Sequence, residues 1–459
     1  MRQTAKPEPS SLYSCSGNGS KKAEEYRPLN ISVPPSKSLT QRAILVGALT
    51  PGRSIIYDPL QCDDSKVLIK ALKLMGVDIR VKEKNAPQGK KLSGELDVPG
   101  ELDVPFPSSD YGAMLEITGP RKFTAPKERL FLNNAGTAVR FLAPLVTLLS
   151  PGESMVIDGV DAMRRRPMRG LLETLKKMGA EVECFETPYC PPVKLQRSGR
   201  SHDTSESRIK VELDPSGSSQ QLSGLLMLGP KLPQGLDIQL TTPLPSAPYV
   251  DLTLDVMESF GVKVERGTGP KGETFSVPGG GYAPAKYHVE GDHSSASYIL
   301  AAAALTGKRV NVCNISSQSK QGDKIFADLL RDLCSPGLKE LDMLECPDVA
   351  PTALAVALFR EHPTRITNIS HLRIKECDRL EVLANELKKL GAKVGVRDEG
   401  WDITPAPLQG PALLDPHGDH RMAMVFGLVS LLVDEVKISN PDCVGKSFPN
   451  FWEVLEVFK

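Results

Sequence analysis

Cations recur in this chain where apolar segments begin, each set among hydroxyl, amide or glycine residues. The stretch VPPSKSLTQRAILVGAL (33–49) places Lys37 and Arg42 beside Ser36, Ser38 and Thr40 at the mouth of an apolar helix. Ser38 and Arg42 fall one turn apart on one face, with Lys37 on another. Such a group suits an oxyanion, and a plain helix cap as well. In DPHGDHRMAMVFGLVSLL (415–432), Asp419, His420 and Arg421 crowd the first turn of a helix apolar enough to be buried. Asp is an ordinary cap there, but Arg opposes the helix dipole unless an anion lies near. His420 reads as a structural residue or as an acid/base group. HLRIKECDRLEVLANELKKLG (371–391) sets Lys375 one turn from Arg379, with Glu376 bordering that face, if the helix starts near Ile374. LFLNNAGTAVRFLAPLVTLL (130–149) joins a strand to a helix through a small-residue turn; Gly136 permits close approach, helix-start N–H groups suit an anion, and Arg140 lies one turn inside. DGVDAMRRRPMRG gathers Arg164, Arg165, Arg166 and Arg169, of which one is expected to face an anion. Ser218, Ser219 and Gln220 precede another buried helix, Asp348 stands at the entrance to ECPDVAPTALAVALF as a cap or a general base, and Lys446 lies in a turn near the end. No zinc spacing, calcium loop or G-x-S-x-G is present, and neither G-x-x-x-x-G-K-[ST] nor G-x-G-x-x-G occurs in the right place at 130–149.

These positions need a scaffold, and a repeat supplies it. An amphipathic helix ending in glycine and followed by a charged short strand occurs at 65–81, 171–183, 252–265 and 383–396, with a degenerate copy at 324–334. Gly76, Gly179, Gly261 and Gly391 fall at the left-handed C-cap. The pattern predicts repeated βαβ-type units in an α/β protein. A polar, Pro/Gly-rich stretch with a tandem GELDVP copy, about 84–113, reads as a surface insertion, and residues 1–27 read as a disordered tail without a secretory or transit signal. The chain has 459 residues with 56 Lys+Arg against 56 Asp+Glu, so no global field recruits nucleic acid or an anionic membrane. Nine cysteines, none in a C-x-x-C pair, fit a reducing compartment.

Ten ordered phrases carry a resemblance from about Leu29 to the C-terminus, among them SKSLTQRA, NAGTAVR, DGVDAMRRRP, SSQQLSGLLM, QGDKIFADLL, LRIKECDRL, GDHRMAM and CVGKSFPNFW. The chain resembles the 5-enolpyruvylshikimate-3-phosphate synthase family, which moves enolpyruvyl from phosphoenolpyruvate to shikimate 3-phosphate. The resemblance implies a two-globule inside-out α/β barrel of repeated βαβαββ units with its site in the interdomain cleft. One globule would span 38–288 and the other 28–37 plus 289–459, with crossings near Ser36–Ser38 and Tyr287–Gly291. It also implies that Lys37, Ser38, Arg42, Ser218, Ser219, Gln220, Ser246, Tyr249, Asp348, His371 and Lys375 hold shikimate 3-phosphate. Lys37, Gly136, Arg166, Gln220, Arg379, Arg421 and Lys446 would hold phosphoenolpyruvate. Catalysis would rest on Lys37, Asp348 as base, Glu376 as acid, Lys375 and His420, without metal or organic cofactor. A cytoplasmic monomer with small-molecule substrates, and no nucleic-acid or membrane partner, is expected. Departures are Pro35 and Asn133 where glycine is common, His371 where Asn often contacts a sugar hydroxyl, and Phe141 where Pro is frequent. The rival with the same fold acts on UDP-N-acetylglucosamine, but that family usually carries a cysteine in the loop matching DGVDAMRRRP, which has none. A second rival, a non-catalytic paralogue binding phosphometabolites, need not keep Asp348 and Glu376.

Overall fold

The structure is a computed structural model that describes residues 28–83, 113–199 and 208–459. The tail read over 1–27 and the insertion read over 84–113, apart from its last residue, lie outside the described residues. No helix among the described residues is long and apolar enough to cross a membrane.

The protein is a mixed α/β structure built on one repeated sheet plan. Strand Leu130–Phe131 pairs in parallel with Ser154–Asp158, which pairs antiparallel with Val193–Arg197, which pairs antiparallel with the edge strand Ala180–Cys184. Three more four-stranded sheets follow the same order, starting from Ile209–Leu213, Lys286–His288 and Lys339–Asp342. Two further sheets keep only a parallel pair, Leu29–Ile31 with Val310–Val312 and Ala412–Leu414 with Val436–Ile438. The repeat read from sequence maps onto the edge strands. Helices Asp63–Leu74, Arg169–Lys177, Pro248–Ser259 and Arg379–Lys388 each lead, through a glycine with φ between 83° and 92°, toward the edge strand of their sheet. The degenerate copy differs: its helix Phe326–Leu333 ends in Cys334, and the strand after it opens the next sheet rather than closing one.

Two hydrophobic cores form. One runs from Leu39 to Val289; the other holds Ile31 and Val33 with residues from Ala296 to Phe458. At the centre of the first, helices Lys37–Leu49, Gly136–Leu142 and Ser219–Leu228 pack on one another. At the centre of the second, helices His293–Thr306, Ala350–Ala357 and His420–Val429 do the same. These six segments are apolar nearly all round, as wholly buried helices must be, unlike the amphipathic helices outside them. Close packing is explicit at Gly224, where a Cβ would lie 2.5 Å from the Arg140 carbonyl. Truncating a central leucine such as Leu225 would cost about 2–5 kcal/mol.

The chain crosses between the cores twice, and the crossings are bonded to each other. Ser36 N–H donates to the Glu290 carbonyl and Asp292 N–H to the Pro34 carbonyl, both at 2.8 Å. The Asn314 side chain clamps Val33 from both sides, accepting from its N–H at 3.0 Å and donating to its carbonyl at 2.7 Å. Gly291 sits against the Asn314 backbone, where a Cβ would come within 2.5 Å of its carbonyl oxygen.

Candidate active site

The helix starts explain the site. Lys37 and Ser38, Gly136 and Thr137, and Ser218–Gln220 come from the central helix starts of the first core; Asp348, His420 and Arg421 come from those of the second. All line one cleft, joined by Asp64, Arg166, Ser246, Tyr249, His371, Lys375, Glu376 and Arg379. Helix N-termini present unsatisfied N–H groups and a partial positive charge, so their convergence favours anions before any side chain is counted.

The side chains add to that field unevenly. Arg379 is only 2% exposed and meets three carboxylates: Asp419 at 2.7 Å, Glu376 at 2.9 Å and Asp348 at 3.3 Å. Burial opposes its charge, but those carboxylates raise its pKa. Lys446 Nζ donates to Glu376 Oε1 at 2.8 Å and to the Asn134 carbonyl at 3.4 Å, tying the second core to the first. Asp348 accepts from Tyr249 OH at 2.5 Å and pairs with Arg421 at 3.2 Å. Burial disfavours the Asp348 and Glu376 carboxylates, yet the surrounding cations hold both well below the usual range. Lys375 is pushed down to about 8, first by burial. His371 is pushed down to about 4 by burial and then by Lys375, and its Nε2 has no hydrogen-bond partner among the described residues. His420 is buried with neither ring nitrogen hydrogen-bonded among the described residues, and burial holds it neutral.

Three cations differ from the rest. Among the described residues, Arg140, Arg166 and Lys375 line the cleft with no carboxylate in salt-bridge range. Arg140 is 3% exposed and, among the described residues, bonded only to the Gly136 and Pro167 carbonyls, and burial lowers its pKa to about 9. Uncompensated buried guanidinium is costly, and an anionic ligand is what offsets it. Among the described residues the cleft lining carries six cations (Lys37, Arg140, Arg166, Lys375, Arg379, Arg421) against three carboxylates (Asp64, Asp348, Glu376), a surplus of three positive charges.

Several expectations are placed differently. Arg42 does not line the cleft. It is 1% exposed behind Ser38, and its guanidinium donates to Thr253 Oγ1, the Ser38 and Tyr249 carbonyls and Ser223 Oγ. Those acceptors face inward from the Pro248 and Ser219 helices, so the side chain braces the wall. Lys446 also stands just behind the lining, held by Glu376. The helix expected from Ile374 starts only at Arg379, because the Asp378 side chain caps it by accepting from the Leu380 and Glu381 N–H groups. Lys375 follows a short 3-10 turn with φ −86° and ψ −143°, so it lies outside the helix and not one helical turn from Arg379. At Gly136 the close neighbour is protein: a Cβ would lie 2.9 Å from the Arg166 guanidinium. Of the four clustered arginines only Arg166 lines the cleft, while Arg164 pairs with Asp158 at 2.9 Å and Arg169 lies over the Tyr189 ring. Asn133 takes φ +50°, a conformation that explains why glycine suits that position and that Asn tolerates.

Asp64 and Asp419 were not singled out as site residues by their sequence, since an acidic residue in a first turn or at an N-cap is common. Asp419 does cap its helix, accepting from the Arg421 N–H at 2.9 Å, and with its other oxygen it holds Arg379.

The model of the family described as EPSP synthase (3-phosphoshikimate 1-carboxyvinyltransferase) matches residues 28–109 and 107–455. The chain belongs to the EPSP synthase family. It is 37% identical to the chloroplastic 3-phosphoshikimate 1-carboxyvinyltransferase 1 of Nicotiana tabacum, over 93% of this chain and 82% of that one. It is also 37% identical to the 3-phosphoshikimate 1-carboxyvinyltransferase of Aliivibrio fischeri, over 93% of this chain and 96% of that one. The solved structure of EPSP synthase from Acinetobacter baumannii shares the fold with a TM-score of 0.68 at 23% identity, covering 94% of this chain and 97% of that one.

Proposed function

We propose that the chain transfers the enolpyruvyl group of phosphoenolpyruvate to the 5-hydroxyl of shikimate 3-phosphate, releasing phosphate on the shikimate route to chorismate and aromatic amino acids. Family membership supports the reaction. The observation that carries the site assignment is the cleft's surplus of cations, with Arg140, Arg166 and Lys375 free of carboxylates among the described residues. Both substrates carry a phosphate and a carboxylate, and such a surplus matches them.

Ser218, Ser219, Gln220, Ser246, Tyr249 and His371 take the shikimate ring and phosphate, with Arg42 bracing Ser38 from behind. Arg166, Arg379, Arg421 and Lys446 take phosphoenolpyruvate, beside Gly136 and Gln220, and Lys37 stands between the ligands. Lys375 faces the acceptor next to Asp348. Chemistry needs a proton on the methylene carbon and a proton taken from the hydroxyl. Glu376 is the acid and Asp348 the base. In the described arrangement both are carboxylates held by cations, so each must be released. Substrate anions do this. As Lys446 and Arg379 turn toward phosphoenolpyruvate they stop stabilising the Glu376 carboxylate, and its pKa rises toward that of a usable acid. Arg421 and Lys375 free Asp348 in the same way. The methylene carbon gains a proton, the hydroxyl oxygen bonds to the adjacent carbon, and Asp348 takes the hydroxyl proton. The adduct then loses phosphate as a methyl proton returns to Glu376, and the proton on Asp348 leaves with phosphate. His420, neutral and buried, serves as an uncharged wall beside Glu376.

The globule boundaries belong to this reading, at 38–288 and at 28–37 plus 289–459, and the two hydrophobic cores support them. So do monomeric action, checked by light scattering, and a cytoplasmic setting, checked by fractionation. The reaction is tested by supplying phosphoenolpyruvate with shikimate 3-phosphate, with UDP-N-acetylglucosamine, or alone. Phosphate release is expected only with the first, and release only with the second would install the rival.

A further inference from the structure

The QGD phrase at 321–323 has no part in the roles above, yet each of its residues makes a distinct connection. Gln321 Nε2 donates to the Gly291 carbonyl at 2.8 Å and to Glu290 Oε1 at 2.9 Å, inside the second crossing. A Cβ on Gly322 would lie 2.7 Å from Pro248 Cβ, at the start of the helix that carries Tyr249. Asp323 is 5% exposed and accepts a hydrogen bond from Ser294 Oγ. Ser294 Oγ in turn accepts from Arg421 Nη2 at 3.4 Å, and Arg421 donates to the Asp348 carbonyl at 3.0 Å. Among the described residues no cation lies within salt-bridge range of Asp323. A carboxylate so placed costs stability that a neutral side chain of the same size would not.

We propose that Asp323 is a positioning residue: by taking the Ser294 hydroxyl proton as acceptor, it turns the serine lone pairs to Arg421 and fixes the guanidinium that faces phosphoenolpyruvate. The inference rests on the role given to Arg421 above. A hydroxyl has one proton. While Asp323 accepts it, the oxygen is free to accept from Arg421. If Asp323 is protonated it donates to Ser294 instead, the serine proton must turn elsewhere, and the relay reverses. The charged and titratable groups facing Asp323 are Asp348, Arg421, Asp292, Tyr249 and Cys346. Burial first, and then Asp348, push Asp323 up to about 7, so the reversal falls inside the working range of pH.

The test compares wild type with Asp323→Asn and Ser294→Ala, using both substrates. Losing one oriented hydrogen bond to a charged group is expected to raise KM for phosphoenolpyruvate about tenfold while leaving KM for shikimate 3-phosphate within about twofold. The ratio of wild-type to D323N kcat/KM for phosphoenolpyruvate cancels ionisation of the substrates themselves. That ratio should fall toward one as pH drops through about 7, since only the carboxylate titrates. The double variant should be no worse than the worse single one, because both act through one link. If D323N does not yield folded protein, S294A alone decides by the same KM rise. Unchanged KM values with parallel pH profiles would overturn the inference, as would a loss of kcat or Tm with both KM values intact. A wild type without turnover overturns the functional reading and this inference together, whereas an active wild type with an indifferent D323N overturns this inference alone.

Discussion

Glu376→Gln separates binding from chemistry. Glu376 accepts from Lys446 at 2.8 Å and pairs with Arg379 at 2.9 Å in a buried setting. Among the described residues the cleft lining holds six cations against three carboxylates, and removing one carboxylate raises the surplus from three to four. Anionic ligands should therefore bind as tightly as to wild type, or up to about tenfold more tightly. Turnover should fall at least about 100-fold, since no other carboxylate is assigned to the methylene carbon. Stability should fall by less than the ~3–5 kcal/mol of a broken buried pair. The reason is that Arg379 keeps Asp419 and Asp348, and Lys446 keeps Asp64 at 4.0 Å. Titration calorimetry with phosphoenolpyruvate in the presence of shikimate 3-phosphate reads the binding, and steady-state phosphate release reads the rate. Turnover near wild type would refute the acid assignment. A rate loss matched by an equal loss of affinity would refute the charge argument.

Four further outcomes follow from the same geometry. Arg166→Met removes a cation that has no carboxylate in salt-bridge range among the described residues, so KM for phosphoenolpyruvate should rise about 10- to 200-fold with Tm unchanged or raised, read by kinetics and calorimetry together. Asp378→Ala removes the cap that starts the Arg379 helix and should cost about 1 kcal/mol, measured by urea unfolding, with a loss of activity larger than that cost explains. Lys375 loses its proton as pH rises through about 8, so affinity for shikimate 3-phosphate should weaken above that pH and hold steady just below it, in a calorimetric pH series. His371 is neutral at any working pH, its pKa being held at about 4, so His371→Asn should keep KM for shikimate 3-phosphate within about threefold.

Much of the scaffold was legible because glycine caps and helical spacing are local signals. The four repeat helices end where their glycines predict, and five of the six central helices stand out by their apolar runs. The pairing of two crossings 256 residues apart, at Pro35 and Gly291, is a long-range bridge that no local pattern encodes. At the site, Lys37, Asp348 and Arg421 were legible as charges at helix starts, and Glu376 as a neighbour of Arg379. Arg42 reads from sequence like its neighbours but turns inward, because Thr253 and Ser223 on two other helices offer it acceptors. Asp64, Asp419 and Asp323 were missed for the opposite reason. A cap or a turn aspartate looks the same in sequence whether or not its second oxygen meets a buried cation or relay. The Arg379 helix shows how a single residue shifts a boundary: Asp378 moves the start about five residues past Ile374 and leaves Lys375 outside the helix.

The most direct measurement is product identification. Purified protein is incubated with phosphoenolpyruvate and shikimate 3-phosphate, and phosphate and the acceptor are quantified together by mass spectrometry. The account predicts one phosphate released for each shikimate 3-phosphate that gains one enolpyruvyl unit, with neither change when either substrate is omitted. Phosphate release without modification of shikimate 3-phosphate, or no turnover at all by folded protein, would contradict it.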